Sequence, residues 1–143
     1  MIHFRDEHLG RLLRSTYRDF NERMMQKLHE IGYADLTQFQ AEILSYIELD
    51  GTRVKSLTLK TGTTKQAVGE VMFQLVAAGY VKKTADPSDK RVQLIRFAKK
   101  GEQFLFDEHR LKAELEQEYR AILGRHEFEN LQKNLQIIAF RTR

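Results

Sequence analysis

The sequence contains no cysteine. Disulfides, thiolate metal sites and cysteine-based catalysis or redox sensing are thereby excluded. No apolar run approaches the roughly 20 residues needed to span a bilayer. The opening stretch, Met1 to Glu7, lacks the apolar core of a signal peptide, so a cytoplasmic location is expected. The histidines are His3, His8, His29, His109 and His126. None stands at a close metal-ligand spacing such as i, i+4 with a carboxylate between, and scattered surface or interface histidines are expected. Gly62-Thr63-Thr64-Lys65 lacks the upstream glycine of a phosphate-cradling loop. No Ser-His-acid arrangement is suggested locally. Glu114, Glu116 and Glu118 read as a solvated helix face. An enzyme is disfavoured on these grounds, and no cofactor is expected. Internal repeats and low-complexity segments are missing too.

What is present is uneven charge. The 143 residues carry a net +4. Between Arg53 and Lys100 stand 11 basic residues and 3 acidic ones, a local net of +8, which leaves −4 for the rest. A basic middle third between acidic flanks focuses its field on one module, and phosphate backbones are the natural counterpart. The length fits one domain, or one domain with extended helices. Its core alone is modest, so burial of further helices against a partner subunit is expected.

The first helix is predicted from about Glu7 to Ile31, with Leu9, Leu13, Phe20, Met24, Leu28 and Ile31 at helical spacing and Gly32 as its stop. Thr37 and Gln40 fit a capping box for the second helix, with Ala41, Leu44 and Ile47 on one face. Asp50-Gly51 is a turn. Thr52 is expected to cap a short third helix, Arg53 to Thr61, with Val54 and Leu57 inward. The fourth helix runs from Thr64 to Ala78 and is closed by Gly79. Ala67, Val68, Val71, Met72 and Leu75 form its buried stripe, leaving Lys65, Gln66, Gly69, Glu70, Phe73 and Gln74 pointing away. Tyr80 to Thr84 and Arg91 to Phe97 read as paired strands. The turn between them, Asp86-Pro87-Ser88-Asp89, holds the chain's one proline, which presets a backbone angle while the aspartates bond local amides. Lys82, Lys83, Lys90 and Arg91 ring the hairpin, within reach of phosphates or a minor groove. Two further helices follow, one through Phe104, Leu111, Leu115, Tyr119 and Ile122 to Gly124, the other through Phe128, Leu131, Leu135 and Ile138.

A short helix, a polar-faced helix and a basic hairpin in this order give the layout of a winged helix-turn-helix. The expected fold class is mainly α with a small β-hairpin wing. Its parts are an N-terminal dimerisation helix (1–34), a winged DNA-binding module (35–98) and C-terminal dimerisation helices (99–143). The apolar surface of the terminal helices is most simply covered in a dimer; the other arrangement folds them back on the core of a monomer.

The stretch from Leu36 to Gly101 resembles the MarR family of bacterial winged-helix regulators. Leu36-Thr37-Gln38-Phe39-Gln40 is similar to the start of the family's second helix. Thr64-Lys65-Gln66-Ala67-Val68, then Leu75-Val76-Ala77-Ala78-Gly79-Tyr80-Val81, resembles its recognition helix and exit. Asp86-Pro87-Ser88-Asp89-Lys90-Arg91 is similar to its wing signature, and Lys99-Lys100-Gly101 to the start of its long fifth helix. The resemblance implies a cytoplasmic, nucleoid-associated homodimer in a bacterial or archaeal cell. Such a protein binds double-stranded, pseudo-palindromic promoter DNA, usually as a repressor. Many members respond to a small aromatic or other anionic effector in a cleft between the dimer helices and the DNA-binding module. Carried over, Thr64, Lys65, Gln66 and Glu70 take the recognition face, and Asp89 and Arg91 the wing. There the arginine commonly enters the minor groove and the aspartate helps hold the wing's shape. Lys83 and Lys90 join them as DNA contacts, and Tyr17, Phe20 and Met24 are the candidates to line an effector cleft.

The chain departs from the family pattern at three places. Gly69-Glu70 replaces a frequent Thr-Arg. A glutamate there can accept from a cytosine amino group or hold Lys65 or another base in place. Phe97-Ala98 replaces Leu-Thr and forfeits a side-chain cap. Phe73 replaces an acidic residue and is expected to pack in the interior or against the wing rather than touch DNA. The leading expectation is a homodimeric, sequence-specific DNA-binding regulator; the alternative is a winged-helix protein-interaction adaptor without specific DNA binding.

Overall fold

A computed structural model describes residues 8–141. The expected helix start at Glu7, and His3, lie outside the described residues. Among the described residues six helices and three short strands follow in the order α1 (Leu9–Glu30), α2 (Gln38–Ser45), β1 (Thr52–Arg53), α3 (Val54–Thr61), α4 (Lys65–Ala77), β2 (Val81–Ala85), β3 (Gln93–Phe97), α5 (Lys99–Leu123) and α6 (Arg125–Arg141). The chain divides into two compact units. One comprises the residues up to Met24 and those from Arg110 onward; the other is Met25–His109.

Local chemistry sets the ends of the elements in the second unit. α1 closes with Lys27 in its last turn, where positive charge complements the helix dipole. The capping box at α2 is present in both directions. The Gln40 amide donates to Thr37 Oγ1 at 3.2 Å, and the Thr37 amide donates to Gln40 Oε1 at 2.9 Å. α3 ends at Gly62, whose φ of +64° lies in the left-handed region.

The expected cap at Thr52 is corrected. Thr52 and Arg53 form a two-residue strand, with Thr52 opposite Ile95 and Arg53 opposite Leu94 of β3. The Thr52 hydroxyl is already engaged, accepting from the Glu48 amide at 2.8 Å. Arg53 therefore holds the cap position of α3 without any side-chain cap bond. The sheet order is β1-β3-β2, antiparallel throughout. β2 and β3 pair from Val81 opposite Phe97 to Ala85 opposite Gln93, so the hairpin is shorter at Tyr80 and Arg91 than the sequence suggests. Tyr80 lies outside the ladder because its amide donates to the Leu75 carbonyl at 2.9 Å, in the turn that leaves α4.

The core of this unit is built from Leu28, Ile43, Leu44, Leu57, Met72 and Ile95, all at most 1% exposed. Beside it Tyr33, Tyr80 and Phe104 form an aromatic cluster, with Phe104 edge-on to Tyr33 at 5.3 Å and to Tyr80 at 6.2 Å. Both phenols are satisfied by carboxylates: Tyr33 donates to Asp107 at 2.7 Å and Tyr80 to Asp35 at 2.9 Å. Lys100 donates to the same Asp35 and stands 4.2 Å over the Tyr80 ring. Burial, reinforced by these carboxylates, pushes both phenols above the ordinary tyrosine range. Gly101 is pressed against this cluster. A β-carbon there would overlap the Tyr80 carbonyl oxygen and stand 2.8 Å from Phe97 Cδ1.

The first unit joins the N-terminal part of α1 to the distal part of α5 and to α6. Arg23 pairs with Glu118, Tyr119 donates to Asp19 at 2.8 Å, and Phe20 stacks on Tyr119 at 6.3 Å. α5 and α6 meet at Gly124, whose φ of +81° allows the chain to turn. Much apolar surface in this unit is exposed, including Leu9, Leu12 and Tyr17 on α1 and Ile137, Ile138 and Phe140 on α6.

Candidate nucleic-acid interface

The second unit presents one polar helix face and one basic hairpin. α4 begins at Thr64, whose hydroxyl accepts from the Ala67 amide at 3.1 Å and fixes the first turn. Val68, Met72 and Leu75 anchor the inward side, each no more than 1% exposed. Lys65, Gln66, Gly69 and Glu70 are exposed on the other side, as their spacing predicts. Glu70 takes its hydrogen bond from Gln66 Nε2 at 3.5 Å rather than from Lys65. Phe73 points away as its helical spacing predicts, and at 75% exposed it takes up neither the interior nor the wing packing expected of its aromatic ring. The inward stripe is already filled at 68, 72 and 75, and residue 73, about 100° on from Met72, falls on the outward side.

The wing turn is held by two aspartates. Asp86 Oδ1 accepts from the Ser88 amide at 2.8 Å and from the Ser88 hydroxyl at 2.7 Å. Its other oxygen accepts from Arg53 Nε at 3.1 Å and from the guanidinium terminus at 2.5 Å. Ser88 and Arg53 together hold the Asp86 carboxyl well below the usual carboxylate range. The turn closes through Asp86 N–H to the Val92 carbonyl at 2.8 Å and Val92 N–H to the Asp89 carbonyl at 2.9 Å. Asp89 Oδ1 accepts from the backbone amide and the Nε of Arg91, both at 3.1 Å. These bonds lower the Asp89 carboxyl too, the Arg91 side chain contributing most. The Arg91 side chain is 91% exposed, so Asp89 orients it without hiding it. Lys82, Lys83 and Lys90 are exposed along the same hairpin. Arg96 is tied to the sheet, donating from Nε to Thr84 Oγ1 at 3.1 Å.

One member of this assembly escapes sequence reading. Arg53 grips Asp86 across 33 positions, and no local pattern marks such a pair. The hairpin motif does single out Asp86.

The three residues expected to line an effector cleft sit in unlike surroundings. Tyr17 is 58% exposed, Phe20 is half-buried on Tyr119, and Met24 is 5% exposed. The clefts lined by Gly10, Arg11, Arg14, Ser15 and Arg18, and by Leu49, Glu102, Leu105, Phe106 and His109, include none of them. Among the described residues no three histidine or carboxylate side chains converge as a metal site would require.

No protein-family model and no curated protein matches the chain. Solved structures do. It is similar to the transcriptional repressor CouR bound to a 23-mer DNA duplex, with 23% identity, 97% of each chain covered and a TM-score of 0.78. It is similar to wild-type MarR of E. coli in its apo form, with 23% identity over 92% of this chain and 96% of that one and a TM-score of 0.75. The S. aureus MepR–DNA complex is 20% identical over 94% of this chain and 98% of that one, with a TM-score of 0.73. Over nearly its full length the chain thus has the MarR-type winged helix-turn-helix fold.

Proposed function

We propose that this protein is a homodimeric, sequence-specific DNA-binding transcriptional regulator that acts as a repressor. The observation that carries the reading is the juxtaposition, on one compact unit, of an outward α4 face bearing Lys65, Gln66 and Glu70 with a pinned hairpin bearing Lys83, Lys90 and Arg91. Polar side chains on a capped helix suit base edges in a major groove, and exposed cations on a rigid hairpin suit phosphates and a minor groove. Two of the similar structures are described as DNA complexes. The exposed apolar side chains of α1 and α6 supply a surface that a second copy would cover, and a two-fold dimer calls for a pseudo-palindromic site with half-sites one helical turn apart. Tyr17, Phe20 and Met24 on α1 remain the residues proposed to meet a small aromatic or anionic effector.

The test is fluorescence anisotropy with duplex DNA flanking the protein's own gene, against scrambled duplex, over a salt series. Preferential binding by a dimer with a steep salt slope is expected. Arg91→Ala should weaken it by about 1–3 kcal/mol. Equal, weak affinity for both duplexes, together with failure to select any preferred site from a random pool, would remove this reading.

A further inference from the structure

We propose that Phe73 is a specificity-determining residue that reads thymine through its 5-methyl group in the major groove. The inference rests on the DNA-binding reading above and deepens it.

Phe73 is 75% exposed on a helix whose inward side is already filled. Its neighbours at i−3, i−4 and i−7 are Glu70, Gly69 and Gln66, so it shares the outward face with the proposed recognition residues. Gly69 contributes no side chain, and a β-carbon there would meet nothing within 4 Å. The ring therefore projects beside open space instead of folding onto a neighbour. Isolated surface hydrophobics need no explanation in general. This one lies on the face that a major groove would cover, in a module with a local net charge of +8.

The chemistry of the groove then limits what the ring can meet. Its floor offers hydrogen-bond donors and acceptors at every base pair, and one apolar group, the thymine 5-methyl. A phenyl ring pressed on donors and acceptors would strand them without partners, which is unfavourable. Pressed on a methyl, it removes apolar surface of both groups from water. A phenylalanine also discriminates against phosphate, since it offers no donor. Position 73 would thus add a thymine preference alongside the hydrogen-bonding contacts of Gln66 and Glu70.

The experiment selects tight-binding duplexes from a randomised pool with the full chain. It then replaces each consensus thymine singly by deoxyuridine, which differs only in lacking the methyl. For the wild type, one thymine per half-site should lose about fourfold in affinity, the effect of one buried carbon. Phe73→Ala should bind the parent duplex at least about fivefold more weakly and be insensitive to that same deoxyuridine. Phe73→Leu should keep part of the sensitivity. A consensus in which no deoxyuridine weakens the wild type, or in which Phe73→Ala responds like the wild type, overturns the proposal and leaves the DNA-binding reading standing. A pool that yields no consensus removes both.

Discussion

Two glycine-to-alanine substitutions, both within helices, should move stability in opposite directions. Gly69 lies inside α4, with negative φ and open space where a β-carbon would go. Alanine there gains the helix-forming advantage over glycine, about 0.5–1 kcal/mol. Gly101 lies in the first turn of α5, also with negative φ, so backbone preference alone predicts the same sign. The surroundings reverse it. The new methyl would overlap the Tyr80 carbonyl oxygen and crowd Phe97. That carbonyl accepts from the Ala98 amide at 2.9 Å, the bond that leads the chain into α5. Forced displacement of a packed segment costs about 1–3 kcal/mol, and loss of the hydrogen bond about 1 kcal/mol more. Against the intrinsic gain, a net loss of about 1–3 kcal/mol remains for Gly101→Ala. For a chain of this size each kcal/mol moves Tm by roughly 4 °C. Gly101→Ala should therefore melt roughly 4–12 °C lower, and Gly69→Ala roughly 2–4 °C higher. Thermal unfolding by circular dichroism at a fixed protomer concentration reads both, because self-association would make Tm concentration-dependent. Equal stability of Gly101→Ala and the wild type, or a shift of both variants in one direction, would refute the packing argument.

Two pH effects follow from the buried polar groups. Asp86 has its folded-state pKa depressed, chiefly by Ser88 with help from Arg53, so its contribution is complete above the ~3.9 of an unfolded carboxyl and is lost as pH falls below it. The stability difference between wild type and Asp86→Asn should therefore shrink in urea titrations below about pH 4; a difference that stays constant down to pH 2 would contradict the assignment. Tyr80 has its pKa raised by burial and by Asp35, so its contribution is present below the ~10 of an unfolded phenol and is lost as pH rises beyond it. Tyr80→Phe should be about 1 kcal/mol less stable at neutral pH, with the deficit narrowing above about pH 10. Denaturation at both pH values checks this, and an unchanged deficit would count against it.

Features set by near neighbours in the chain were legible in the residues. The Thr37–Gln40 capping box, the start of the fourth helix at Thr64, the burial of Val68, Met72 and Leu75 and the aspartate-bonded wing turn all depend on groups within a few positions of one another. Features set by distant strands were not. Thr52-Arg53 looks like a helix cap because two residues cannot display an alternation; only β3, some 40 positions on, makes them a strand. The same strand shift brings Arg53 to Asp86. Tyr80 reads as the first residue of a strand, yet the turn out of α4 claims its amide before the ladder begins. For Phe73 helical spacing already gave the outward direction. The expectation of an interior or wing contact came from its aromatic character, which burial statistics favour but geometry overrode.

The Arg53–Asp86 grip has a consequence for how the wing meets a partner. A hairpin tip left loose would have to be frozen at the moment of contact, at about 1–2 kcal/mol of lost backbone freedom per residue. Here Asp86 holds Ser88, Asp89 holds Arg91, and Asp86 is moored to Arg53 of β1, the strand that leads directly into α3. That ordering precedes any encounter, so a duplex meeting the wing as proposed would draw on a settled surface. Under the DNA-binding reading proposed above, Arg53 would thereby influence affinity through the order of the wing. Its removal would then register as a less favourable entropy of association, with Lys90 and Arg91 themselves unaltered.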